Sequence, residues 1–324
     1  MFIKCRFLYV YNSIRGEWLK ESFSKGQKEI IFKCFKEGYT YHDIALLCDK
    51  QFNIHVTDDC IRKMIRRNGY STPRKDKRSM CLVMSDMHIP YNRDDILDIV
   101  AKYRETIDTI ILGGDIIDCE SISVYKSLGK VELVDEMREA WNLLKDIQDM
   151  TPGVKRVIIY GNHEERFEKH LASIPTDIVS LHSSNILEEI VGGFDYYDHR
   201  GDKTSYCNLD YEVIDDWNYQ HNDLIVCHPQ SFSKVPGRTA INACEYFTRD
   251  GKSFNAIFVA HTHKIVEKLP DLNKWCYEIG CLCKPMEYSK AGKLDYTPQN
   301  NGYGIAVFKD GKFDVNRSRV YVVE

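Results

Sequence analysis

Carboxylate and imidazole side chains follow five short apolar runs of this 324-residue chain. The run "FVA" is followed by His261 and His263, and on a strand two side chains one residue apart project to the same side. Imidazole is both a metal ligand and an ordinary polar group, so this pair alone leaves metal binding and plain hydrogen bonding open. The other four runs also end in candidate ligands, which are Asp86 and His88, Asp115, Asn162 and His163, and His228. Five such ends in one chain favour a shared metal site.

The apolar runs predict the strands that would position these side chains. They lie at 80–84, 110–112, 157–160, 224–227 and 256–260. Amphipathic stretches at 133–150 and 237–251 predict helices between them. This alternation predicts an α/β sheet covered on both faces, in which sites form where the carboxyl ends of the strands converge. Near the C-terminus, alternating residues around Asp310–Gly311 predict an antiparallel hairpin.

The types of donor atom indicate which ions would bind. This set of donors contains carboxylates, imidazoles and one amide oxygen, but no thiolate. It fits a site for manganese, iron or zinc better than it fits a structural zinc site. Seven candidate ligands are too many for one ion but fit two ions that share a carboxylate. Such ion pairs clamp the attacking and leaving oxygens of a phosphoryl displacement. We therefore expect two divalent metal ions, with manganese favoured and iron, zinc or nickel as alternatives.

In their order along the chain, the motifs resemble those of the calcineurin-like metallophosphoesterases. They are D-x-H at 86–88, G-D-x-x-D at 114–118, G-N-H-E at 161–164, a lone histidine at 228 and x-H-x-H at 260–263. The resemblance covers about 79–265 and implies a four-layer α/β/β/α sandwich of two mixed sheets. It also implies a metal-dependent phosphoric ester hydrolase, in which a hydroxide that bridges the two metals attacks phosphorus in line.

Carried over by position, the resemblance divides the candidate ligands between two metals. One metal would be held by Asp86, His88, Asp115 and His263. The other would be held by Asp115, Asn162, His228 and His261, so that Asp115 bridges. Catalytic roles fall to Asp115 and to His163, which would protonate the leaving oxygen or stabilise its charge. The alternative for His163 is that it orients Asp86 or Asp118 without touching substrate.

Two positions depart from the family pattern. Ala260 stands where the family often has glycine before the last H-x-H motif. Cys119 stands where the Ser/Thr-phosphatase branch has an arginine that helps to hold phosphate. We therefore expect that this chain is not a phosphoprotein phosphatase of that branch.

The N-terminal residues have a different pattern, with three short stretches at helical spacing. The first ends at Gly38, the second begins with Thr40 as N-cap and Asp43 three residues on, and the third runs from Thr57 to Asn68–Gly69. Three capped helices with tight links predict a helix-turn-helix unit. The predicted domains are a small all-α helix-turn-helix domain at 1–72, a basic linker at 73–79 and a metallophosphoesterase domain at 80–324.

Basic residues concentrate on the third helix and the segment after it. Residues 60–78 contain eight Arg or Lys against one Asp, a pattern that suits phosphate contact and entry into a DNA groove. The predicted DNA contacts are Arg62, Lys63, Arg66 and Arg67. The alternative is an adaptor or oligomerisation unit whose third helix presents a solvated charged face.

Composition limits the partners and the compartment. The net charge of −4 creates no global field towards nucleic acid or a membrane, so any such signal must be local. No run reaches the roughly 18 apolar residues that span a bilayer, and the N-terminus is a poor signal peptide. The twelve cysteines are scattered and fit reduced thiols. We expect a cytoplasmic protein without a membrane partner.

Three functions remain open from the sequence. The first is a phosphodiesterase or nuclease that the N-terminal helices deliver to nucleic acid, since chains that join these two domains resemble phage or prophage proteins. The second is a phosphoesterase of cyclic or polyphosphate nucleotides with a regulatory helical domain. The third is a DNA-binding regulator with a silent metal domain, which the intact ligand set argues against. Residues 174–222 are expected to form a cap or rim near the site, with its aromatic residues packed in a hairpin.

Overall fold

The computed structural model describes residues 10–12, 17–19, 23–36, 39–68, 78–124, 130–174, 183–286 and 298–324. The chain divides into two compact units, Met1–Asp76 and Lys77–Glu324. The predicted helix ends Gly38 and Gly69 and most of the predicted linker lie outside the described residues. Among the helices of the described ranges, none is long and apolar enough to cross a membrane.

The described residues of the first unit form three helices, α1 (Lys25–Lys36), α2 (Tyr41–Phe52) and α3 (Asp58–Arg67). The predicted capping box is present, because the Thr40 hydroxyl accepts the Asp43 N–H and the Asp43 carboxylate accepts the Thr40 N–H, both at 3.1 Å. Apolar side chains from all three helices form one core, with Ile31, Phe35, Ile44, Cys48, Ile61 and Ile65 almost completely buried. The assignment of these helices as a helix-turn-helix DNA reader stays a prediction.

The prediction that this unit is all-α is wrong. Strands β1 (Val10–Asn12) and β2 (Glu17–Leu19) form an antiparallel pair ahead of α1. The sequence of β1 lies in "LYVYN", where β-branched and aromatic residues favour extended backbone. The all-α prediction rests on residues at helical spacing, and that spacing begins only after β1 and β2.

The second unit contains a seven-stranded sheet with a parallel centre. Its parallel strands are β3 (Arg78–Met84), β4 (Thr109–Leu112), β5 (Lys155–Ile159) and β8 (Glu212–Ile214). Its antiparallel strands are β14 (Gly302–Lys309), β15 (Lys312–Phe313) and β16 (Arg319–Val322). The order is β15-β14-β3-β4-β5-β8, with β16 also paired to β14.

A second sheet of five strands has the order β12-β13-β11-β10-β9. The strands are β9 (Asn218–His221), β10 (Leu224–Cys227), β11 (Ala256–Val259), β12 (Ile265–Asp271) and β13 (Lys274–Ile279). Strand β11 runs parallel to both β10 and β13, whereas β9 and β12 are antiparallel to their neighbours. A separate hairpin is formed by β6 (Asp195–Tyr197) and β7 (Lys203–Ser205).

The two sheets pack face to face, and helices cover their outer faces. Val83 and Ile111 of the larger sheet share a core with Val226 and Phe258 of the smaller one. Neighbouring strand residues such as Leu82 point the other way and pack against helices, as strand periodicity requires. The helices are α4 (Ile96–Tyr103), α5 (Leu133–Met150), α6 (Glu165–Leu171) and α7 (Ile186–Gly192) on the larger sheet, and α8 (Arg238–Arg249) on the smaller. The predicted α/β class with mixed sheets is confirmed.

Most predicted elements of this unit are present within two residues of their expected bounds. The C-terminal hairpin is confirmed: Asp310 and Gly311 join β14 to β15 with φ of 53° and 75°, as a tight two-residue turn requires. The segment 174–222 differs from the expected cap, because its strand β8 belongs to the main sheet beside β5. Within this segment Tyr206 stacks on Phe194 at 4.6 Å, which agrees with the packed-hairpin interpretation.

Candidate metal centre

The candidate ligands all follow strands whose carboxyl ends meet at one edge of the two sheets. Asp86 and His88 follow β3, Asp115 follows β4 and Asn162 follows β5. His228 follows β10 of the second sheet, and His261 and His263 follow β11. Several contacts join the sheets here; for example, the Asp86 carboxylate accepts the His261 N–H at 3.1 Å, and His228 Nδ1 lies 2.7 Å from the Gly113 carbonyl.

The backbone of this cluster is held in an unusual conformation. Five of the candidate ligands have φ between 47° and 71°, a region that residues with a side chain rarely occupy; they are Asp86, His88, Asp115, His261 and His263. Each such residue costs on the order of 1–3 kcal/mol and persists only where its surroundings determine it. Strain concentrated on the candidate ligands is typical of a functional site.

Asp115 lies at the centre of the cluster. Its Oδ2 atom is 3.3 Å from His228 Nε2 and 3.7 Å from His88 Nε2, so one carboxylate oxygen faces histidines of both sheets. Its Oδ1 atom accepts the backbone N–H of His163 at 2.9 Å. This position between two groups of ligands is the one that a bridging carboxylate would occupy.

One group of donors is formed by Asp86, His88 and His263. His263 Nε2 lies 3.2 Å from Asp86 Oδ1 and 3.2 Å from His88 Nε2. Two nitrogens bound to one tetrahedral ion at about 2.0–2.1 Å would be roughly 3.3 Å apart. The spacing of these donors therefore fits a shared metal ion.

The other group is formed by Asn162, His228 and His261. Asn162 Oδ1 lies 3.1 Å from His228 Nε2, and the donor atoms of Asp115, His228 and His261 lie within 4.8 Å of one another. The His261 Nε2 atom is buried and has no hydrogen-bond partner among the described residues. A buried polar atom is costly without a partner, and a metal ion would supply one.

Two of the imidazoles are oriented from behind by oxygen atoms. His88 Nδ1 lies 3.0 Å from Asp118 Oδ1, and His228 Nδ1 lies beside the Gly113 carbonyl. A proton on Nδ1 leaves the Nε2 lone pair free for a metal ion, which is the usual arrangement at metal sites. The structure thus places Asp118 behind the candidate ligand His88.

Glu164 has a larger structural role than its sequence position suggested. Its fully buried carboxylate accepts the backbone N–H groups of Ile116 at 2.7 Å, Gly161 at 2.9 Å and Asp115 at 3.0 Å. It therefore ties the loop after β4 to the loop after β5. Gly161 must lack a side chain here, because a Cβ would overlap the Asp115 amide and carboxylate.

The His163 imidazole lies between Asp118 and Arg166. Its Nδ1 atom is 3.0 Å from both Asp118 Oδ1 and the Asp118 carbonyl, and its Nε2 atom is 2.9 Å from Arg166 Nη2. The guanidinium group can only donate, so Nε2 accepts and the proton resides on Nδ1. Arg166 also donates to the Asp118 carbonyl at 2.7 Å.

Burial and charge shift the pKa values of the cluster in opposite directions. Burial raises the pKa of Asp86, but the hydrogen bond and charge of His263 outweigh it and bring the value to about 2. Burial lowers the pKa of His228, but Asp115 outweighs it and raises the value to about 9. Burial is the main reason that the pKa of His261 falls to about 4. Ionised carboxylates are thus kept inside the protein, where they need compensating positive charge.

The four residues predicted to contact DNA all belong to α3. Arg62 and Lys63 form ion pairs with Asp59 of the same helix, the latter at 2.7 Å. Arg66 is exposed, and Arg67 is the last residue of the helix. The structure therefore places Lys63 and Arg66 on the surface and Arg62 partly on it, and it pairs Arg62 and Lys63 with Asp59 within the helix.

Sequence reasoning missed one further donor beside the cluster, the thiol of Cys283. Its Sγ atom, His88 Nε2 and His263 Nε2 lie within 4.8 Å of one another. The local signal for it is the C-x-C pair at 281–283. Nothing local in the sequence shows that the segment after β13 passes beside the strand ends.

The model of the calcineurin-like phosphoesterase family matches residues 81–265, from β3 to the start of β12. The matched range contains all seven candidate metal ligands. The chain belongs to the calcineurin-like phosphoesterase family. Because the members of this family are hydrolytic phosphoesterases, the predicted enzyme class is confirmed.

Solved structures that are similar to the chain share little sequence with it. A metallophosphoesterase from Sphaerobacter thermophilus is 15% identical with a TM-score of 0.36, over 76% of this chain and 88% of that one. A protein serine/threonine phosphatase from Saccharomyces cerevisiae is 12% identical with a TM-score of 0.37, over 88% and 96%. Zinc-bound Vps29 from Entamoeba histolytica is 12% identical with a TM-score of 0.33, over 75% and 98%. No curated protein matches the chain in sequence.

Proposed function

We propose that this protein is a dinuclear-metal phosphodiesterase that hydrolyses nucleic acid. The observation that carries the proposal is the convergence of the two donor groups on the Asp115 carboxylate, whose Oδ2 atom lies 3.3 Å and 3.7 Å from histidines of different sheets. Asp86, His88 and His263 would hold one ion, and Asn162, His228 and His261 the other. Manganese remains the favoured ion from the donor types alone.

Two divalent ions at such a site would supply an activated nucleophile and neutralise charge on the phosphoryl oxygens. The residues of the chain hold the donors in place before substrate arrives. Asp118 and the Gly113 carbonyl orient imidazoles, and Glu164 joins the two loops that carry Asp115 and Asn162. Positioning of this kind reduces the reorganisation that the reaction requires.

His163 and Arg166 would act at the leaving oxygen. In the observed arrangement His163 Nε2 accepts a hydrogen bond from Arg166, so it cannot donate a proton unless Arg166 moves away. Stabilisation of developing negative charge by the Arg166 guanidinium needs no such movement. We therefore favour charge stabilisation over proton donation as the role of this pair.

The nucleic-acid substrate is supported by the basic residues of α3. Arg62, Lys63 and Arg66 project from the face opposite the buried Ile61, Met64 and Ile65. Exposed ion pairs such as those with Asp59 are weak, so phosphate groups could displace the Asp59 carboxylate. We propose that this helix contributes electrostatic attraction to the nucleic-acid backbone in a cytoplasmic protein.

The alternative is a phosphoesterase of cyclic or polyphosphate nucleotides, with the first unit serving regulation or dimerisation. This alternative is favoured by the ion pairs of Arg62 and Lys63 with Asp59, because these pairs engage two of the four side chains that are predicted to contact phosphate. The third candidate is a DNA-binding regulator without activity. It would give no function to the donor groups that converge on Asp115.

The first test compares hydrolysis of bis-p-nitrophenyl phosphate and p-nitrophenyl phosphate with added Mn²⁺, using the wild type and Asp115→Asn. We expect diester hydrolysis that the substitution abolishes, followed by cleavage of single- and double-stranded oligonucleotides. Diester hydrolysis without cleavage of any oligonucleotide would select cyclic nucleotides instead. Monoester preference would contradict the proposal.

A further inference from the structure

A thiol lies beside the half of the cluster that contains His88 and His263. The Cys283 Sγ atom and the Nε2 atoms of these two histidines lie within 4.8 Å of one another, and Cys283 is only 1% exposed. The family motifs assign it no role, and the donor set expected from the sequence contained no sulfur. We propose that Cys283 is a thiolate ligand of the ion held by Asp86, His88 and His263, an inference that rests on the proposed metal site.

The fold holds Cys283 in this place through its backbone. Leu282 donates its N–H to the carbonyls of Ser85 and Asp86, both at 3.1 Å, and Cys283 pairs with Asn92 in an antiparallel bridge. The segment after β13 is therefore attached on both sides of the D-x-H motif. Moving the Cys283 backbone away from the D-x-H motif would break these bonds.

The Gln299 side chain connects the thiol with one of the imidazoles. Its Nε2 atom lies 3.6 Å from Cys283 Sγ and 2.5 Å from His263 Nδ1. A group that touches a ligand from behind fixes the direction of its donor atom. Gln299 thus contacts both Cys283 and the candidate ligand His263.

The neighbouring Cys281 is a comparison variant because it contacts Cys283 but forms no candidate metal group with His88 and His263 among the described residues. Its Sγ atom donates to the Asn300 carbonyl at 3.6 Å, and it also interacts with His263. Among the described residues, Cys283 is the one cysteine that forms a candidate metal-binding group with His88 and His263. The two thiols are equally buried, so they should be equally protected from solvent.

A thiolate would make the two halves of the site unlike each other. Sulfur is a soft donor that favours zinc, iron or cobalt over manganese, whereas the half with Asn162 and His228 offers only nitrogen and oxygen. When the bond between Sγ and the ion forms, the thiol proton is released to solvent, and no oxidant or reductant is involved. The inference therefore predicts a different metal preference at each half.

Cobalt titration of the chelator-treated full-length protein tests this assignment. Bound Co²⁺ gives visible bands with any donors, whereas a near-ultraviolet charge-transfer band appears only when sulfur is a ligand. We expect both bands in the wild type and in Cys281→Ser. Cys283→Ser should keep the visible bands, which also show that the site is folded, and lose the near-ultraviolet band.

A competition between Zn²⁺ and Mn²⁺ gives a second readout. Supporting residues at metal sites typically change affinity by about 10–100-fold, so loss of a direct ligand should lower the Zn²⁺ to Mn²⁺ affinity ratio by at least about tenfold in Cys283→Ser. An unchanged ratio would overturn the inference.

The outcomes separate this inference from the proposed function. Visible bands without a near-ultraviolet band in the wild type would disprove the thiolate ligand and leave the metal site intact. If the near-ultraviolet band were lost in Cys281→Ser but kept in Cys283→Ser, Cys281 would be the sulfur ligand and the proposal for Cys283 would be overturned. Absence of all cobalt bands would remove the metal site on which both proposals depend.

Discussion

The donor cluster at the strand ends and the basic face of α3 were predicted by similar reasoning, from residue types and their spacing. The structure treats them differently. The donors are mostly buried, with their backbone held by hydrogen bonds, whereas Arg62 and Lys63 lie at the surface and pair with Asp59. Buried polar groups must find partners within the fold, but exposed charges find them in water and exchange them at little cost. The observed contacts therefore support a functional role strongly at the donor cluster and only weakly on α3.

The largest effect is expected at the centre of the cluster. Asp115→Asn removes the charge that faces both donor groups, so turnover should fall by more than ~10³-fold, above the cost of one lost oxyanion donor. Metal content should fall for both ions. Asp310→Asn in the surface hairpin is the matched control and should leave activity and metal content unchanged. Retention of two ions by Asp115→Asn would contradict the bridging position.

The next effect concerns His163, which lies beside the donors but is not assigned as a ligand. His163→Ala should lower turnover by about 10²–10³-fold, because the Arg166 guanidinium loses the partner that holds it near the leaving oxygen, and metal content should not change. Hydrolysis rates and elemental analysis check the two parts. The exposed His170→Ala, on the helix α6 that follows His163, is the control. Loss of metal in His163→Ala would show that the imidazole is a ligand.

A smaller effect is expected where the cluster is supported from behind. Glu164→Gln replaces one accepting oxygen with an amide NH₂, which cannot accept the N–H groups of Asp115 and Gly161 or, in the other amide orientation, that of Ile116. The connection between the two loops should therefore weaken. Metal affinity should weaken by about 10–100-fold, measured by calorimetry. Glu168→Gln, on the exposed side of the same helix, should bind metal like the wild type. Equal metal affinity in Glu164→Gln and Glu168→Gln would show that the hydrogen bonds of Glu164 do not support the metal site.

The smallest effect is expected on α3. Replacing Arg62, Lys63, Arg66 and Arg67 with Gln should reduce the salt dependence of DNA affinity by up to about 0.9 in log–log slope for each lost phosphate contact. Hydrolysis of bis-p-nitrophenyl phosphate should stay unchanged. Lys25→Gln with Lys28→Gln removes charge from α1 and serves as the control. An unchanged slope in the α3 variant would assign this unit to regulation or oligomerisation.

Much of the fold and most of the site could be predicted from local sequence. Helix α5 has the predicted bounds, and the strand ends carry the expected donors, because periodicity and turn chemistry act over a few residues. The β1–β2 pair was missed because three-residue strands leave almost no periodic signal. The place of β8 in the main sheet was missed because its pairing with β5 is set by packing of distant residues.

The amino-acid sequence by itself determined which donor types exist, the strands they follow and the family that their order indicates. Only the tertiary structure decided that Asp115 faces both sheets, that Glu164 joins two loops and that Cys283 lies beside His88 and His263. The reason is physical: short-range preferences form strands and turns, but contacts between distant residues depend on how two sheets pack and where their connections return.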